Sequence, residues 1–228
     1  MSQNLLKRII TSIFLLSLLF FINFSHQYIF ILSILTLGII ICIEFNKLFL
    51  KLLITKKNKN NYFKRFDAKF LILNIATFCY IFFIFCNFSY EIHESESPIF
   101  FIYIISICFF TDIGGYVFGK IIGGKKLSKI SPNKTISGTI GSFLLSIIPL
   151  IWALNFNYLE LEFNLRNILF CLLISLISQL GDLFISLLKR KAKIKDTGNL
   201  LPGHGGILDR VDGIIFAVPF SYFLLGLI

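Results

Sequence analysis

Residues 195–213, KDTGNLLPGHGGILDRVDG, hold five glycines, one histidine, three aspartates and two cations in nineteen positions. Gly203, Gly205 and Gly206 let backbone fold closely around an anionic ligand. Asp209 and Asp212 stand three residues apart and share a face if that segment is helical. Lys189, Arg190, Lys195 and Arg210 add positive charge. Carboxylates and cations together, without a cluster of thiols or histidines, suit Mg2+ and a polyphosphate better than zinc. His204 has two readings, a general base or a hydrogen-bonding organiser of the loop.

Two more aspartates stand out because of where they lie. Asp112 and Asp182 fall inside apolar runs, where a charge costs about 3 kcal/mol even on lenient insertion scales. Asp112 comes eight residues before Lys120 and Asp182 seven before Lys189. At about 1.5 Å per helical residue, both sit on the order of 10–12 Å from a charged edge. That matching depth lets the two carboxylates converge on one site; lysine-paired or snorkelling aspartates are the alternative. Gly114, Gly115 and Gly181 beside them permit close backbone approach. The loop KISPNKT, residues 129–135, contributes Ser131, Lys134 and Thr135 ahead of a glycine-bearing helix start, ISGTIG. Backbone N–H groups at a helix start with a nearby lysine suit a phosphate, although Ser-Pro-Asn is also ordinary turn chemistry.

The elements that must position these groups are apolar. The chain has 228 residues, 56% of them hydrophobic, with a mean hydropathy of +0.83. That exceeds what a soluble core absorbs, so the bilayer is the natural solvent. Apolar segments fall at roughly 5–24, 28–45, 70–90, 98–122, 136–158, 167–188 and 214–228. The expected fold is an all-α integral membrane protein of about seven transmembrane helices joined by short loops. It reads as one polytopic membrane domain over 1–228, with N-terminal helices in 1–97 and the chemistry-bearing half in 98–228. The first apolar run follows Lys7 and Arg8, and no small-residue cleavage site follows Phe24, so it reads as a retained helix. The five cysteines all lie in apolar runs at no zinc-pair spacing and read as buried thiols.

A net charge of +10 raises nucleic acid as a partner, but the placement of the charges argues for topology and lipid instead. The N-terminus holds two cations, and the loops after segments two, four and six hold eight, five and six, so 21 of 22 Lys and Arg share one side. Only Arg166 lies on the other, with Glu91, Glu94, Glu96, Glu160 and Glu162. The positive-inside bias makes the basic side, and the N-terminus, cytoplasmic. Glu44 and Asp67 flank the second loop. The remaining five acids, Asp112, Asp182, Asp196, Asp209 and Asp212, fall in or beside the last two cytoplasmic loops.

Residues 186–213, SLLKRKAKIKDTGNLLPGHGGILDRVDG, resemble the signature of the phosphatidate cytidylyltransferases, also called CDP-diacylglycerol synthases. Ser186, Lys189, Arg190, Lys195, Asp196, Gly198, Pro202, His204, Gly205, Gly206, Asp209, Arg210 and Asp212 each match a position of that pattern. Upstream, Gly181–Asp182, ISPNKT at 130–135 and TDIGGYVFGKIIG at 111–123 resemble the family's other blocks in the same order. The resemblance covers roughly residues 100–228. Two departures stand out: Ile136-Ser137-Gly138 replaces a usual Trp-Glu-Gly, removing a carboxylate, and Gly115 replaces an alanine. The N-terminal half is short and carries little of the signature.

The resemblance implies transfer of a cytidylyl group from CTP to phosphatidate, giving CDP-diacylglycerol and pyrophosphate in phospholipid biosynthesis. It assigns metal binding to Asp182, Asp196 and Asp209, with Asp112 and Asp212 as further ligands of one or more Mg2+ ions. Asp182, Lys195, Asp196 and Asp209 are the expected catalytic groups. Ser131, Lys134, Thr135, Lys189, Arg190, His204 and Arg210 are the expected substrate-binding groups. Expected partners are CTP, inner-leaflet phosphatidate, membrane lipid and a second copy of the chain, with no nucleic acid. The expected location is the cell inner membrane, with the site facing the cytoplasm. A CTP-dependent lipid-alcohol kinase, another CDP-lipid synthase and a membrane transporter are the alternatives the residues leave open.

Overall fold

The computed structural model describes residues 3–54, 68–127, 131, 134–156, 159, 161–201 and 205–227. Among them the regular elements are all helices: α1 (Gln3–Asn23), α2 (Gln27–Ile54), α3 (Ala68–Cys79), a π-helical stretch (Tyr80–Cys86), α4 (Asn87–Ser95), α5 (Pro98–Ile121), α6 (Ile136–Leu145), α7 (Ile148–Phe156), α8 (Leu165–Lys191), α9 (Leu208–Val211) and α10 (Ile214–Leu227). The helical expectation holds.

Five helical segments are long and apolar enough to cross a membrane: Gln27–Leu53, Ala68–Ser95, Pro98–Ile121, Ile136–Asn155 and Leu165–Lys191. The first expected segment forms α1, whose apolar part is Ile10–Asn23. The last forms α10, which has only 14 residues and contains Pro219. α2 keeps two distinct faces. Phe30, Ile34, Ile41, Phe45 and Leu48 are buried at three-, four- and seven-residue steps, while Tyr28, Ile29, Leu32, Leu35, Ile39 and Ile43 are exposed. An exposed face that apolar belongs against lipid rather than water.

The chain clusters into two compact units. The first comprises residues 1–90 and 188–211, the second 91–187 and 212–228. In the first, α2 packs against α1, α3 and the π-helical stretch. Gln27 Nε2 donates to the Tyr90 hydroxyl at 2.7 Å, tying the start of α2 to α4. In the second, α5 is the central helix and contacts α6, α7 and α10. Ser142 Oγ donates to the Thr111 carbonyl at 2.7 Å, and Thr111 Oγ1 meets Ser175 Oγ at 2.9 Å, so α6 and α8 are both bonded to α5.

Two boundaries differ from the sequence expectation for local reasons. α2 runs to Ile54 rather than stopping near 45, because Lys47 and Lys51 continue the helix beyond the apolar run. The fifth segment divides into α6 and α7, with a turn at 146–147. Pro149, at the second position of α7, lacks an N–H and costs least in a first helical turn.

Candidate active site

The segment leading into α6 brings Lys134 and Thr135 to a defined place. Residues 125–127 pair antiparallel with 134–136: Leu127 N donates to Lys134 O at 2.8 Å and Ile136 N to Lys125 O at 3.0 Å. Thr135 caps the helix by accepting from Gly138 N at 3.1 Å. Its hydroxyl therefore serves one of the N–H groups expected to face a phosphate. Ser137 donates to the Gly123 carbonyl and lies 3.0 Å from Thr135 Oγ1. Ser131 is placed by its carbonyl, which accepts from Lys134 N at 3.1 Å.

From that segment Lys134 forms an ion pair with Asp182 on α8, side chains 30% and 25% exposed. Ser186, one turn on, donates to Asp182 Oδ1 at 3.1 Å. The Asp212 side chain is close enough to that of Asp182 for the two to interact. Two glycines allow this meeting. A Cβ on Gly181 would lie 2.9 Å from the Asp212 carbonyl and 2.6 Å from Phe216, and one on Gly213 would lie 2.9 Å from the Ser178 carbonyl. No larger residue permits α8 and the start of α10 to come so close. Two adjoining carboxylates repel unless positive charge balances them; Lys134 supplies one such charge beside Asp182, and a metal ion would add another. Mg2+ is commonly held by one or two carboxylates and completed by substrate phosphates and water, so this donor set fits it. Among the described residues, no group of three or more His, Cys, Asp or Glu stands close enough to hold a metal ion. Asp112 is exposed on α5.

A second cluster forms in the other unit. Lys189 donates to Asp209 Oδ1 at 2.9 Å, with side chains 12% and 7% exposed. Thr197 N and Gly206 N donate to Asp209 Oδ2 at 2.9 and 3.0 Å. Burial pushes the Asp209 carboxyl up, but the Lys189 hydrogen bond and the two backbone N–H groups outweigh it and hold it below the usual carboxylate range. Ionised Asp209 therefore stabilises the fold above the ordinary carboxylate pKa, and that contribution fades as pH falls through the lowered folded value. Asp196 lies close by: a Cβ on Gly205, where φ is +87°, would come within 3.0 Å of Asp209 Oδ2 and 3.4 Å of Asp196 Cγ. Lys195, Asp196, Arg190 and Arg210 are exposed. His204 lies outside the described residues.

Sequence reasoning missed Glu44. It does not flank a loop but sits ten residues before the end of α2 and is 1% exposed. Its carboxylate accepts from Thr197 Oγ1 at 2.8 Å, Ile207 N at 3.1 Å and Leu208 N at 2.9 Å. A Cβ on Gly198 or on Gly206 would stand 2.5 Å from one of its oxygens. The clearance over Gly206, expected to admit a ligand, is thus occupied by Glu44. The signal was available, since an acid within an apolar run is the criterion that singled out Asp112 and Asp182. Ending the second segment at 45 hid it.

These features have counterparts in known proteins. A family model described as the cytidylyltransferase family matches residues 15–228, and the chain belongs to that family. Among curated relatives, phosphatidate cytidylyltransferase of Bacillus subtilis (strain 168) is 46% identical over 123 residues, 51% of this chain and 44% of its own length. The protein of that name from Synechocystis sp. is 44% identical over 121 residues, 51% of this chain and 40% of its own length. The one from Staphylococcus aureus (strain COL) is 40% identical over 181 residues, 78% of this chain and 66% of its own length. The chain thus spans between two-fifths and two-thirds of the length of these relatives.

Proposed function

We propose that the chain transfers a cytidylyl group from CTP to phosphatidate, yielding CDP-diacylglycerol and pyrophosphate. The observation that carries this reading is the union of Lys134, Asp182 and Asp212, drawn from three separate blocks of the family signature, in one polar cluster. In the reaction, a phosphate oxygen of phosphatidate attacks the α-phosphorus of CTP, one P–O bond forms, and the bond to the β-phosphate breaks. That oxygen is already anionic near neutral pH, so no strong protein base is required. The chain's task is alignment and charge neutralisation. Asp182 and Asp212 are the carboxylates for Mg2+, and a bound Mg2+ would neutralise charge on the phosphates and the leaving pyrophosphate. Lys134 balances Asp182 before substrate arrives and offers its ammonium to a phosphate afterwards. Asp209 orders the loop from which Lys195 and Arg210 reach outward, and Lys189 is held against it.

The same reading extends to topology. It takes α1 and α10 as the sixth and seventh spans, with the N-terminus and both clusters on the cytoplasmic side of the cell inner membrane. There CTP arrives from water and phosphatidate from the inner leaflet. A cysteine introduced at Asn199 should be shielded from an impermeant thiol reagent in intact cells, and one at Ser95 should react, each against the unmodified chain. Labelling at Asn199 but not at Ser95 would reverse the orientation.

Two labels of CTP separate this chemistry from its rivals. With α-labelled CTP the lipid fraction should gain label, and with γ-labelled CTP it should not. Label entering lipid from the γ-position alone would indicate phosphoryl transfer by a kinase.

A further inference from the structure

We infer that Glu44 is a positioning residue for nucleotide binding, acting through the signature loop that it pins from α2; this rests on the cytidylyl-transfer reading. A carboxylate buried in a membrane helix costs several kcal/mol, on the order of the penalty for any buried ion, unless hydrogen bonds compensate it. Among the described residues, the hydrogen-bond partners of Glu44 all belong to that loop, and none of them is a cation. Its bonds join the two ends of the loop, Thr197 at the start and Ile207 with Leu208 at the finish. Thr197 is the link: its hydroxyl bonds Glu44 while its N–H bonds Asp209, which in turn holds Lys189. A relay thus runs from a membrane helix to the cation beside the loop. Gly198 and Gly206 lack a Cβ where one would strike the Glu44 carboxylate, so two signature glycines serve this contact. Lys195 and Arg210 stand just outside the pinned ends, so the direction in which they present charge depends on it.

Glu44→Gln tests the inference at constant shape. Each carboxylate oxygen accepts from one backbone N–H, so whichever way the amide turns, its NH2 faces an N–H and one bond is lost. With the purified full chain, KM for CTP should rise about tenfold or more while kcat stays within about threefold and KM for phosphatidate is unchanged. Amide exchange, measured without substrate, should quicken over 196–209 and not in α5, α6 or α8. Thr197→Val should repeat both effects more weakly, and Thr197→Ser, which keeps the hydroxyl, should restore them. Faster loop exchange with KM for CTP unaltered would reduce Glu44 to a structural tie and overturn the inference, as would unchanged exchange. Should Glu44→Gln fail to fold, Thr197→Val decides alone: a normal KM for CTP there overturns it. If the wild-type chain makes no CDP-lipid, the functional reading fails separately, and unchanged loop exchange in Glu44→Gln still overturns the pinning.

Discussion

Asp182→Asn should lower turnover at least about a hundredfold, on the order of 3 kcal/mol of transition-state stabilisation. The substitution keeps size and shape but removes the charge that Lys134 neutralises and that a hard cation needs. It also leaves the Ser186 hydrogen bond an acceptor, so packing along α8 should survive. The pair is partly open to solvent, at 30% and 25% exposure, which places the loss in catalysis rather than in folding. Raised Mg2+ should recover part of the rate. Glu94→Gln, an exposed change on α4, is the control and should turn over normally. Steady-state rates at limiting Mg2+, with the thermal midpoint alongside, check this. Normal turnover of Asp182→Asn with an unchanged midpoint would remove Asp182 from the site.

Lys189→Met is expected to act on the fold instead. The Lys189–Asp209 pair is enclosed, at 12% and 7% exposure. Removing one partner of such a pair leaves an uncompensated charge and costs about 3–5 kcal/mol. Among the described residues, Asp209 would keep the N–H groups of Thr197 and Gly206 alone, so the loop they belong to should loosen with it. A marked fall in thermal midpoint and rapid proteolysis within 190–210 are the expected readouts. Lys134→Met, in the more open pair, should shift the midpoint little, by about 1 kcal/mol or less. Equal midpoints for the two variants would mean that burial does not separate the pairs.

The helices and the polar residues of the site were legible because each departs sharply from its surroundings. Asp182 stood out as a charge in a run of Leu and Ile, and 195–213 as a polar stretch among apolar ones. Pairing was not legible. Nothing in the spacing says that Lys134 meets Asp182, which depends on α6 and α8 both being bonded to α5. Glycines were recognised as permissive, but what approaches them is a tertiary fact: Asp212 and Phe216 at Gly181, Glu44 at Gly198 and Gly206. The contacts of Asp209 were hidden for a similar reason. Its carboxylate was read as a metal ligand, and the spacing did not show that three hydrogen bonds engage its two oxygens, two of them from backbone N–H groups. Glu44 shows the cost of placing a segment boundary by hydropathy alone, since amphipathic lysines extend α2 beyond its apolar run.

The central claim is cytidylyl transfer to a lipid phosphate. Its most direct test uses the purified chain in mixed micelles with CTP, phosphatidate and Mg2+, following pyrophosphate and CDP-diacylglycerol together. Pyrophosphate should appear in step with CDP-diacylglycerol, one for one, and should cease when either phosphatidate or the divalent cation is left out. Active, folded protein that releases pyrophosphate without forming the CDP-lipid, or that forms neither with all three present, would contradict it.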